Sequence, residues 1–74
     1  MPNFYFTFTY GSDRRNQFVR IQSRTMAEAR DEMFRLYGDR WAFCYDEAGW
    51  VNPAGVTQEE QFGLSELCFI NLEG

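Results

Sequence analysis

The chain opens on an alternation. In residues 3–10, NFYFTFTY, aromatic and β-branched residues dominate, and Phe4, Phe6, Phe8 and Tyr10 recur at every second position. That period places the four rings on one face of an extended strand. Residues 11–16, GSDRRN, are polar and contain Gly and Asn, a connection of hairpin length. Alternation resumes in QFVRIQS at 17–23, with Val19 and Ile21 on one face and Phe18, Arg20 and Gln22 on the other. The two runs predict an antiparallel hairpin.

After Ser23 the period changes. Met26, Ala29, Met33, Leu36 and Tyr37 form one apolar stripe at helical spacing, with Arg30, Asp31 and Arg35 facing away. Thr25 is a good N-cap, Glu28 three residues later completes a capping box, and Gly38 stands where a left-handed residue ends a helix. This helix is expected to lie across the hairpin.

From residue 41 the period of two returns in WAFCYD, which predicts a third strand over 41–46. Trp41, Phe43 and Tyr45 then share one face, and the small Ala42 and Cys44 share the other, beneath the helix. DEAG at 46–49 and NPAG at 52–55 read as turns, with Trp50 and Val51 between them. TQEEQFG at 57–63 repeats the helix grammar in miniature, with Thr57 as cap, Glu60 at the third position and Gly63 as terminator. LSELCFINL at 64–72 is a last strand. The expected fold is a single α+β domain over residues 1–74. A small antiparallel sheet in the order ββαβ, short helix, β carries one main helix on one face.

The large rings on the other face need a cover. The segment with Trp50, Phe62 and Leu64 could fold back over them, as a chain of 74 residues with 19% aromatics needs its rings for stability. An open aromatic face, on which bases stack in single-strand nucleic-acid binders, is the other reading. Charge argues against it. All seven cations are arginines within residues 1–40, against five acids there, while residues 41–74 hold six acids and no cation. Direct nucleic-acid binding is therefore not expected, and an acidic surface suits a basic protein partner.

Other classes fall away on inventory. No apolar run approaches the roughly 20 residues that span a bilayer, and MPNFYFTFTY does not read as a signal peptide. A soluble cytoplasmic protein is expected. There is no His and no glycine-rich phosphate loop, and GLSEL lacks the second Gly of a serine-nucleophile elbow. The pairs Asp46–Glu47 and Glu59–Glu60 fall at a turn and a first helical turn, where acids serve solvation and the helix dipole. No enzyme, cofactor or metal site is expected. Cys44 and Cys68 read as buried free thiols, with a disulfide left open if their strands are neighbours.

Taken together, FYFTFTYGS, TMAEARDEMFRLYGDRWAFCYDEAGW and QFGLSEL resemble a group of short phage and prophage proteins. Those open on an aromatic FTF strand, carry an EAR…MF…YG helix and follow it with a WAF.Y strand. The resemblance covers nearly the whole chain and carries over no functional residue, because the group has no assigned activity. It implies a small accessory protein acting in the cytoplasm of a bacterial host. In that setting the expectation is a non-enzymatic protein that binds a basic surface of a host protein, in the manner of an anti-CRISPR or other host-defence inhibitor. Asp46, Glu47, Glu59 and Glu60 are the candidate contacts, with Trp50 as aromatic anchor. Arg14 and Arg15 in the hairpin loop form a second candidate patch. The alternative is a self-associating structural or regulatory phage protein, a homodimer through its aromatic face or through the terminal edge strand at 67–72.

Overall fold

A computed structural model describes residues 2–9, 11 and 13–72. It is an α+β domain of seven elements: β1 (Asn3–Phe8), β2 (Gln17–Gln22), α1 (Met26–Tyr37), β3 (Trp41–Tyr45), α2 (Glu47–Trp50), α3 (Gln58–Phe62) and β4 (Ser65–Asn71). Tyr10, assigned above to the first strand, lies outside the described residues.

The strands form one sheet in the order β3-β1-β2-β4. β1 pairs antiparallel with β2 and with β3, as expected. β4 does not follow that pattern: it pairs parallel with β2, so the sheet is mixed. The reason is where the chain re-enters. After β3 it travels over the sheet through α2 and α3 and arrives at the hairpin end, where Ser65 N–H donates to the Asn16 carbonyl at 2.9 Å. From there it can only run alongside β2 in the same direction.

α1 covers one face. Phe4, Phe6 and Phe8 of β1, Val19 and Ile21 of β2, and Ala29 and Met33 of α1 form the buried cluster, with Met26 and Tyr37 packed at its margin. The helix is capped as its sequence indicates: Thr25 Oγ1 accepts from Glu28 N–H at 3.2 Å, and Gly38 N–H donates to the Phe34 carbonyl. Ser23, fully buried before the helix, donates its hydroxyl to the Thr25 carbonyl at 2.7 Å. Leu36, placed in the apolar stripe above, is exposed, because it lies to the side of the line through Met26, Met33 and Tyr37.

β3 corrects a second expectation. Thr7 pairs with Phe43 and Phe8 with Trp41, so Ala42 is an extra residue in a bulge. The bulge moves Trp41 to the helix face, where its ring meets Phe6 edge-on at 5.2 Å and Phe34 at 5.2 Å. Cys44 packs on that face as expected, while Phe43 and Tyr45 remain on the other. The residues read as a turn at 46–49 instead start a one-turn helix, α2, with Asp46 as its N-cap.

The two cysteines lie on opposite edge strands. Three inter-strand spacings of about 4.8 Å separate them, far beyond the ~7 Å Cα limit of a disulfide. Both are free thiols within the chain.

Candidate functional site

The second face of the sheet is organised by one side chain. Asp46 Oδ1 accepts from Gly49 N–H at 2.6 Å and closes the turn of α2, which drops Trp50 onto the strands. The Trp50 ring stacks on Tyr5 at 4.5 Å with its plane 4° away, and meets Phe18 at 5.1 Å and Tyr45 at 5.6 Å. At 3% exposure Trp50 is a core residue, and this corrects its assignment as an anchor reaching a partner. A cover for the second face was one of the two readings above, and Trp50 supplies it over Tyr5, Phe18 and Tyr45 but not over Phe43, which is exposed. Phe62, expected to share that task, is 58% exposed.

Beyond Trp50 the chain is held by local hydrogen bonds. Asn52 Oδ1 accepts from the N–H groups of Ala54 and Val56 at 2.9 and 3.0 Å. Thr57 Oγ1 caps α3 by accepting from Glu60 N–H at 3.1 Å, and Gly63 ends it in the left-handed conformation. α3 becomes a ridge. Gln58 and Phe62, one turn apart, look into a groove on the β3 side, while Glu59 looks into another on the β2–β4 side.

The second of these grooves is acidic. It encloses about 270 Å³ between Tyr5, Arg20, Trp50 and three carboxylates, Glu47, Glu59 and Glu66. Glu47 also accepts a hydrogen bond from Asn3 N–H through Oε1 at 2.8 Å, which ties α2 to the start of β1. Among the described residues Arg20 is the one cation of the groove. Its Nε lies 3.1 Å from Glu66 Oε1, outside hydrogen-bond alignment, and its guanidinium sits over the Phe69 ring at 4.3 Å. Both partners of the ion pair are more than a third exposed, so it contributes only ~0–1 kcal/mol. Tyr5 reports the local field. Burial raises its hydroxyl pKa first, Glu47 raises it further, Arg20 opposes, and Glu66 and Glu59 add to the rise. The phenol therefore stays a neutral donor among carboxylates. Such a groove can receive an Arg or Lys side chain, with charge-assisted hydrogen bonds from its edges.

The sequence candidates separate into three roles. Asp46 is spent on its helix cap, Glu47 and Glu59 line the acidic groove, and Glu60 is exposed beside it on the first turn of α3. Arg14 and Arg15 do not form one patch: Arg14 lies over the Tyr37 ring at 5.5 Å on the helix side, whereas Arg15 lines the groove on the β3 side. Sequence reasoning missed Tyr5, Arg20 and Glu66. Nothing local marks them, because they meet only once β4 lies parallel beside β2. Among the described residues no group of three or more His, Cys, Asp or Glu side chains is placed to hold a metal ion, and no helix is long and apolar enough to cross a membrane.

No protein-family model matches the chain, and comparison with curated proteins and with solved structures finds no match.

Proposed function

We propose that the chain is a non-enzymatic binding protein whose acidic groove docks a basic surface of a partner protein. The observation that carries this reading is convergence. Glu47, Glu59 and Glu66 come from three separate elements and share one groove with Arg20, which gives the described lining a net charge of −2 beside the rings of Tyr5, Phe18 and Trp50. A carboxylate cluster of this kind accelerates encounter with a basic partner and selects its register. In the setting that the resemblance implies, the partner is a bacterial cytoplasmic protein that grips nucleic acid through Arg and Lys. The chain would then compete for that grip as a host-defence inhibitor of the anti-CRISPR kind does.

Self-association as a structural or regulatory phage protein has weaker support. Both edge strands carry a bulge, β3 at Ala42 and β4 at Leu67, and bulged edges resist strand addition.

Affinity capture from nuclease-treated bacterial lysate at low and high salt tests the reading, with Glu59→Lys/Glu60→Lys as the paired bait. A basic protein held at low salt, released at high salt and lost with the variant is the expected result. Equal capture by both baits would sink the acidic-groove assignment, and recovery of the bait alone would favour self-association.

A further inference from the structure

The groove on the other side of the α3 ridge has the opposite character. It encloses about 300 Å³, the lower end of the range for ligand pockets, and is walled by Phe43, Tyr45 and Phe62. Phe43 is 61% exposed and Phe62 is 58% exposed, in a domain that buries Phe4, Phe6, Phe8, Phe18 and Trp50. No acid lines it. Arg15 is the one charged residue among the described ones that line it, with the amides of Asn16 and Gln58 beside it.

We propose that this groove is a second binding site, for a short segment of a partner protein that carries one carboxylate next to a bulky apolar side chain. The apolar part matches the two exposed rings, whose contact with water ends when a side chain lies between them. The carboxylate matches Arg15, whose planar fork binds such a group through two parallel hydrogen bonds. The amides supply donors and acceptors for the segment's backbone.

The base of Arg15 is held in advance. Gln17 N–H donates to the Arg14 carbonyl at 2.9 Å, and Ser65 N–H donates to the Asn16 carbonyl at 2.9 Å, which fixes the loop to the start of β4. Little backbone entropy remains to be lost on binding. The charge count selects the occupant. One arginine balances one carboxylate, whereas a nucleic-acid strand brings a phosphate per nucleotide and would meet Glu59 and Glu60 on the adjoining ridge.

The test is selection of random eight-residue peptides displayed on a carrier against the full chain, with Phe43→Ser/Phe62→Ser as the counter-bait. Phe62→Ser alone serves if the double variant does not fold. Peptides retained only by the wild-type chain are expected to carry Asp or Glu beside Phe, Tyr, Trp, Leu or Met. For a synthetic hit, Arg15→Gln and replacement of the peptide acid by its amide should each weaken binding about tenfold, and the two changes together should cost little more than either alone. Hits without an acid, additive losses in that cycle, or no sequence retained over the counter-bait would each overturn the proposal. So would an oligothymidylate that binds the wild-type chain and not the counter-bait, which would assign the groove to single-stranded nucleic acid.

Discussion

At the scale of single residues, the two sheet faces impose different chemistry on similar side chains. Cys44 lies on the helix face beside Phe6, and burial there pushes its thiol from 9.0 up to about 11; Arg30 opposes the rise and Asp46 adds to it. The thiolate is the reactive form. At pH 8 its population falls from roughly a tenth to roughly a thousandth, so alkylation should be about 100-fold slower than for an exposed cysteine. Iodoacetamide labelling of Cys68→Ser, which isolates Cys44, checks this by mass spectrometry, and labelling at the rate of a free peptide would refute it. The same shift has a stability consequence. The unfolded chain ionises this thiol near 9 and the folded chain near 11, so its contribution is intact below pH 9 and is lost as the pH rises through 11. Trp50 shows the limit of reading residues singly. Its sequence context, an aromatic between two turns, suits an exposed anchor as well as a core ring, and only its stack on Tyr5 decides between them.

At the scale of elements, what could be read in advance was what is decided within a few residues. Thr25 and Gly38 bound α1, and Thr57 and Gly63 bound α3, where their residue types place them, because a cap is satisfied by its own neighbours. The bulge at Ala42 and the parallel course of β4 depend on partner strands, and no local pattern announces them. The two terminating glycines offer a comparison. Gly38 sits at φ 61°, ψ −127°, a region hostile to any side chain, whereas Gly63 sits at φ 65°, ψ 36°, which Asn tolerates. A Cβ at either position would meet nothing within 4 Å beyond its own chain neighbours, so the penalty is that of the local backbone conformation. Gly38→Ala should therefore destabilise the domain by about 1–3 kcal/mol, and Gly63→Asn by less than ~1 kcal/mol. Urea titrations of the two variants measure both costs. Equal midpoints would show that the end of α1 relaxes into another turn.

At the scale of the whole molecule, charge is arranged by the fold rather than by the order of residues. Residues 1–40 carry every arginine, yet Arg20 ends among the carboxylates of the second half, and Arg15 ends against its aromatics. The asymmetry along the chain announced an acidic surface but not the two grooves, since these exist only where α3 divides the face. The molecule spans 29 × 28 × 16 Å and exposes 4772 Å². A compact monomer of 8.8 kDa is expected to expose about 4,800 Å². The single chain thus buries an ordinary share of its surface, with Trp50 covering Tyr5, Phe18 and Tyr45 on the second face. Sedimentation equilibrium should accordingly return a monomer of 8.8 kDa at tens of micromolar, at low and high salt alike. Self-association that weakens with salt would mean that the acidic groove finds Arg15 or another arginine of a second copy. A dimer that persists at high salt would instead point to the exposed Phe43 and Phe62, and it would place a second copy of the chain in the groove assigned here to a peptide.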